Sequence, residues 1–209
     1  MVAPWKPEEN LKLESGWLCL DFANTAEWHL SEHPAERLTS YAELIAWARS
    51  IGLLPDRTAQ QLLRAAELRP AEAARVLERA VALREAIYHI FVAVAGGHSP
   101  SADDQATLNA ELSRSLARSR LVWNKANFDW SRQGENGELD QMLWWILRSA
   151  TDLLTSEDIR RVGVCADDRG CGWLFYDTSR NRTRQWCSMR GCGNRAKAKR
   201  HYEKVKSDE

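Results

Sequence analysis

No stretch of this 209-residue sequence strings together the roughly 18–20 apolar residues that span a bilayer. The opening Met1-Val-Ala-Pro-Trp-Lys6 holds no apolar segment long enough for a signal peptide. Internal repeats and low-complexity tracts are missing. So are a Gly-rich phosphate loop, a nucleophile elbow and a His-Glu metal motif, which leaves no ground for expecting an enzyme. Histidine is scarce, and His29, His33, His89 and His98 keep no metal-ligand spacing to a cysteine or an acid. The expectation is a cytoplasmic, non-catalytic protein that does not engage a membrane.

Net charge is absent too, with 29 Lys/Arg against 29 Asp/Glu, but only by cancellation. Residues 1–158 carry 16 basic and 23 acidic side chains, whereas 159–209 carry 13 and 6. From Arg180 to Lys206 ten basic residues face the single acidic Glu203, the asymmetry of a segment that meets a polyanion. Cysteine divides the chain in the same way. Cys19 stands alone, while Cys165, Cys171, Cys187 and Cys192 fall in the basic part. Charge and cysteine together mark a boundary near 156–160, giving a domain over 1–156 and a second over 157–209.

The first part reads as helix. Ser40-Tyr-Ala-Glu43 is a capping box, followed by Tyr41, Leu44, Ile45, Ala48 and Ile51 at helical spacing and stopped by Gly52 and Pro55. Thr58-Ala-Gln-Gln61 offers a second capping signal, and Pro70 suits the first turn of a long helix to about Ala95. That helix carries a stripe of Leu77, Ala80, Val81, Arg84, Ile87, Tyr88, Phe91 and Val94, in which Arg84 is the only charge. Ser101 caps a further helix bearing Leu108, Leu112 and Leu116. Leu121–Trp130 loses this period and fits a short hairpin or irregular stretch, with a turn-rich Gln133–Gly137. A stripe from Leu139 to Leu154 restores helix. Beyond Arg160, Val162–Val164 and Trp173–Tyr176 form a small hairpin, and Asn194–Lys206 forms a basic helix. The fold class expected is mainly α, a helical N-terminal domain followed by a small zinc-stabilised hairpin-plus-helix module.

Cys165-x5-Cys171 and Cys187-x4-Cys192 are two close pairs that a hairpin and a helix start can bring together. Four thiolates suit one tetrahedral zinc ion per chain, and four protein ligands leave no open position for an activated water. Two disulfides or four unlinked thiols are the alternatives. Disulfides are disfavoured in a cytosolic chain, and a segment of about 50 residues with little apolar surface gains most of its folding free energy from a metal. Arg180, Arg182, Arg184, Arg190, Arg195, Lys197, Lys199 and Arg200 interleave with the thiols and continue along the helix. Guanidinium forks bind phosphate bidentately, so the expected partner is DNA, with an RNA-binding or protein-interaction module as the alternative. The patch can also be a solvated face, or dock on the chain's own acidic part.

Cys171-Gly-Trp-Leu-Phe-Tyr-Asp-Thr-Ser-Arg-Asn-Arg182, Arg184-Gln-Trp-Cys-Ser-Met189 and Cys192-Gly-Asn-Arg195 together resemble the CGNR zinc finger, a bacterial domain taken to bind DNA. Upstream, Gly16-Trp-Leu-Cys-Leu-Asp-Phe-Ala-Asn-Thr25, Ala46-Trp-Ala48, Leu83-Arg-Glu-Ala-Ile-Tyr88 and Ser149-Ala-Thr-Asp-Leu-Leu154 resemble the ABATE domain that usually precedes it. The resemblance covers roughly residues 15–202. It implies a stress-linked transcription regulator, associated with the nucleoid, whose N-terminal domain senses a small-molecule effector or assembles, for instance as a homodimer.

Asp21, Asn24, Trp28 and Arg84 are candidates for lining an effector pocket. They serve equally as caps or buried hydrogen-bond anchors, with Trp28 one helical turn beyond Asn24 and Asp21 as the acidic partner that a buried Arg84 needs. Ten tryptophans, among them Trp5, Trp17, Trp123, Trp130 and Trp144-Trp145, suit core and interface packing or an aromatic cavity. Cys19 reads as a small buried hydrophobe. The two parts are expected to bury separate cores.

Overall fold

The structure is a computed structural model that describes residues 11–132 and 138–207. The readings of Met1–Lys6, of Trp5 and of the turn at 133–137 lie outside the described residues. In chain order the elements are α1 (Leu18–Ala23), β1 (Ala26–Glu27), β2 (Ala35–Glu36), α2 (Tyr41–Ser50), α3 (Asp56–Leu68), α4 (Pro70–Ala95) and α5 (Ala102–Leu116). There follow β3 (Ser119–Trp123), β4 (Phe128–Arg132), α6 (Gln141–Leu154), β5 (Val162–Val164), β6 (Leu174–Tyr176) and α7 (Asn194–Ser207). Among the described residues each strand pairs only with its neighbour in sequence, so the fold is mainly helical with three small antiparallel ladders there.

The helix signals act where the sequence puts them. Ser40 Oγ accepts the Glu43 N–H at 3.2 Å and opens α2, and Ser101 Oγ accepts the Asp104 N–H at 3.0 Å and opens α5. α3 departs from expectation by starting at Asp56, ahead of the Thr58 signal. Pro55, at φ −61° and ψ 149°, already supplies the extended N-cap, without a side-chain cap. α4 is the axis of the fold, packing against α1, α2, α3 and α5 and also against β5 and β6. Neighbours on several sides bury Ala73, Val76, Leu83, Ala86 and Ile90 beyond the expected stripe. Arg79 of α4 meets Glu111 of α5 (2.6 Å) and Asp140 at the N-cap of α6 (3.1 Å), fastening three helices.

The C-terminal hairpin lies on the helices and shares their core. Val162 and Leu174 belong to the same apolar cluster as Phe22, Leu83, Phe91 and Ile146, which corrects the expectation of separate cores. The β6 edge is extended by the N-terminal segment, where the Tyr176 N–H donates to the Ser15 carbonyl at 2.8 Å. The Asn24 amide completes the seam. Its Nδ2 donates to Leu174 O and its Oδ1 accepts the Leu174 N–H, both at 2.8 Å and buried.

A candidate metal centre and its basic surroundings

β5 leads into Cys165 and Cys171 leads towards β6, so the hairpin turn brings the first two thiols together. The Cys165 N–H donates to Trp173 O at 2.8 Å, carrying the ladder one step past the strands. At the turn, Gly170 has φ +85°, and a Cβ there would lie 2.6 Å from the Ser31 backbone nitrogen. Only glycine permits both that conformation and that contact. The contact seats the 28–31 loop on the turn, with the Leu30 N–H donating to Gly170 O at 3.1 Å.

The second pair is positioned by a latch and a cap. The Ala166 N–H donates to Gln185 O at 2.9 Å, drawing the segment before Cys187 alongside the first pair. Ser188 then caps a π-turn over Met189–Gly193, Oγ accepting the Gly191 N–H and the carbonyl accepting the Gly193 N–H, which presents Cys192 at the head of α7. Arg195 closes the assembly. It donates to Asp167 at 2.8 Å and to Cys192 Sγ at 2.9 Å, so the last residue of Cys-Gly-Asn-Arg ties α7 to the first knuckle and to a ligand sulfur.

All four Sγ atoms lie within 4.8 Å of one another. Cys171 and Cys187 are 3.8 Å apart and Cys187 and Cys192 3.7 Å, too far for an S–S bond, so the disulfide alternative fails. Those spacings match the edge of a tetrahedron with about 2.3 Å zinc–sulfur bonds, which is about 3.8 Å. The four thiols do not ionise together. Hydrogen bonds from Cys171 and Cys187 pull Cys165 down to the thiolate, while contact with that thiolate pushes Cys187 and Cys171 up and burial pushes Cys192 up. A divalent cation removes this conflict.

The basic residues divide into two groups. Arg184 is internal, donating to Tyr176 O at 3.1 Å, Trp186 O at 2.9 Å and Cys187 O, with its guanidinium 4.5 Å over the Phe175 ring. Arg195 serves the centre as described, Lys199 pairs with Asp168, and Arg200 lies over Trp186. Arg180, Arg182, Arg190 and Lys197 are exposed and make no ion pair among the described residues. Every α7 residue from Lys197 to Lys206 is exposed, including Tyr202 and Val205.

The four N-terminal candidates occupy different surroundings. Asn24 borders a cleft of about 480 Å³ with Trp173, Cys187, Met189 and Arg190, and the other three do not line it. α1 ends at Ala23, so Trp28 is not a helical turn beyond Asn24; it sits at φ +56° with its indole against the cysteine cluster, flanked by Arg169 and Arg195 at 5.2 and 5.4 Å. Arg84 is buried but paired with Glu36 (2.6 Å) and Glu85 (2.6 Å), not with Asp21. His29, unremarkable in sequence, stacks on Tyr88 at 3.6 Å and meets Glu85 at 2.9 Å, while the Tyr88 hydroxyl donates to Gly172 O next to Cys171. The role of the 24–31 segment as a seat for the hairpin has no short-range sequence signal, since Asn24 and Leu30 meet Leu174 and Gly170, 150 and 140 residues away. Burial pushes the Cys19 thiol up to about 12, an inert group as its lone position suggests.

Asp21 accepts the Glu14 and Ser15 N–H groups at 3.0 and 2.9 Å, and burial nonetheless pushes its carboxyl up to about 6. The folded chain therefore holds this proton more tightly than the unfolded chain, whose carboxyl titrates near 4. Stability from this group is full below about pH 4 and declines as pH rises to about 6, by on the order of 2–3 kcal/mol. Asp21→Asn is expected to flatten that decline in urea titrations between pH 4 and 7. An unchanged slope in the variant would assign it to another group.

Comparisons with known proteins come down on two adjoining segments. Residues 16–157 match the ABATE family, described as "Putative stress-induced transcription regulator". Residues 161–205 match the CGNR zinc finger. Among curated proteins nothing matches the chain.

Proposed function

Since the chain belongs to the ABATE family and carries a CGNR zinc finger, we propose that it is a DNA-binding transcription regulator whose finger is built on one zinc ion. Cys165, Cys171, Cys187 and Cys192 hold the ion, and with four protein ligands its contribution is structural. This membership sets the chain among regulators and not enzymes.

The observation that carries the DNA reading is α7. It leaves the thiol cluster directly, buries no side chain from Lys197 to Lys206, and carries Lys197, Lys199, Arg200, Lys204 and Lys206 against Glu203 alone. A helix that exposes this many basic side chains is suited to the major groove, where a helix fits and base edges can be read. Arg180, Arg182 and Arg190 flank it for phosphate contact, while Arg184 and Arg195 hold the module's shape. The helical domain supplies assembly or effector sensing. A cleft of about 300 Å³ walled by Trp17, Leu18 and Trp145 is the kind of concave apolar site that takes a small effector.

The salt dependence of binding tests the DNA reading. Five phosphate contacts, from Arg180, Arg182, Arg190, Lys197 and Lys206, give a slope of log affinity against log salt of about −4 to −5 on duplex DNA. Arg190→Ala is expected to reduce that slope by about one and to weaken binding to all sequences alike. Fluorescence anisotropy on a pool of genomic fragments measures both. A flat response overturns the reading, and structured RNA outcompeting duplex DNA transfers it to RNA.

A further inference from the structure

β3 and β4 form a hairpin that projects from the helical domain and that no part of the regulatory reading employs. Its register pairs Leu121 with Trp130 and Trp123 with Phe128. Side chains alternate across a strand, so these four share one face, while Arg120, Val122, Asp129 and Ser131 occupy the other. The four are 56%, 38%, 57% and 64% exposed in that pairing order. Trp123 and Phe128 stack edge to face at 5.2 Å, and Trp130 leans on Trp144 of α6 at 5.4 Å, so the face is held by the core and not free to fold back on it.

The uncovered apolar area of these four side chains is on the order of 500 Å², close to the largest patch an ordinary monomer leaves open. Among the described residues the ladder contains only β3 and β4, and neither hairpin edge has a strand partner there. Unpaired edges beside an apolar face are what native chains cover or blunt with charge, and the charges nearest these four residues in sequence, Arg120 and Asp129, occupy the opposite face.

We propose that this face is where two copies of the chain meet, Leu121, Trp123, Phe128 and Trp130 of one hairpin packing on the same residues of the other across a two-fold axis. A second copy of the chain is the occupant that this face favours. A face of offset aromatic and aliphatic side chains is complementary to itself, as a two-fold contact requires. Two such faces bury about 1,000 Å² together, the lower bound for a specific association, with the strand edges and the Lys125 turn adding to it. The pairing goes beyond the regulatory reading and does not depend on it, because it involves no residue of residues 160–207.

Sedimentation equilibrium of the full chain, without nucleic acid, from 1 to 100 µM is the test. The parent is expected to be a dimer in the upper part of this range. Trp123→Lys combined with Phe128→Glu is expected to weaken association at least 100-fold while leaving zinc content and helical circular dichroism unchanged, since both side chains stand clear of the core. Val122→Glu, on the same strand but the opposite face, is expected to associate as the parent does. A parent that stays monomeric at 100 µM overturns the proposal, whether or not the hairpin then binds lipid vesicles or another protein. So does a double variant that dimerises like the parent, or a Val122→Glu variant that falls apart equally.

Discussion

Removing zinc with a strong chelator, or changing Cys187 to Ser, is expected to unfold residues 162–207 and to lower the melting temperature of the helical domain as well. Zinc binding is worth roughly 10–16 kcal/mol in finger peptides, more than two three-residue strands supply. The loss does not stay local, because Val162 and Leu174 are 7% and 0% exposed within the helical core. Uncovering an aliphatic side chain of this size costs about 1.5–3 kcal/mol, so the helices lose about 3–6 kcal/mol of a typical 5–15. At 2–4 °C per kcal/mol for a chain of this length, the remaining helical transition falls by roughly 6–24 °C. Calorimetry with metal analysis reads both events. A chelated chain without zinc whose helical transition stays at the parent temperature would show that the hairpin and helices are energetically independent.

That coupling marks the border of what the sequence discloses. Helix starts depend on contacts three or four residues apart, so Ser40, Ser101 and Pro70 announce α2, α5 and α4 without reference to the rest of the chain. The four-thiol cluster is legible for a related reason. Thiols paired at short spacing on either side of a hairpin have little room to do anything but converge, and the family resemblance rests on the same residues. The seam between the two parts depends on pairs far apart in sequence. Nothing in Leu20-Asp-Phe-Ala-Asn-Thr says that Asn24 faces Leu174 and not an effector, or that Trp28 turns through a left-handed conformation to reach the thiols. The partner of Arg84 was equally hidden: Glu36 reaches it from the short β2 and Glu85 from the next residue, whereas Asp21 spends its carboxylate on the backbone before α1. Charge counting also does not separate two kinds of arginine, since Arg184 and Arg195 are indistinguishable from Arg182 and Arg190 until their carbonyl and carboxylate partners are seen.

Asn24 offers the sharpest separation of anchor from pocket. Asn24→Ala leaves the N–H and the carbonyl of Leu174 buried without partners, and each such group costs about 1–3 kcal/mol. The expected loss is therefore about 2–6 kcal/mol, with weaker zinc retention because Leu174 is three residues from Cys171. A residue that merely lined the neighbouring cleft would leave stability within about 0.5 kcal/mol of the parent. Asn24→Asp adds a test of direction. The carboxylate still accepts the Leu174 N–H, but its second oxygen faces the Leu174 carbonyl with no proton to donate, so the variant is strongly destabilised at pH 7. Protonation restores the donor. Burial and the facing carbonyl raise this carboxyl above the unfolded value near 4, so the folded variant binds the proton more tightly and recovers stability as pH falls through its raised titration. Melting curves of parent and Asn24→Asp between pH 4 and 7, taken with zinc in excess, are expected to converge towards the acid end. Parallel curves across that range, or an Asn24→Ala chain that melts with the parent, would remove Asn24 from the seam.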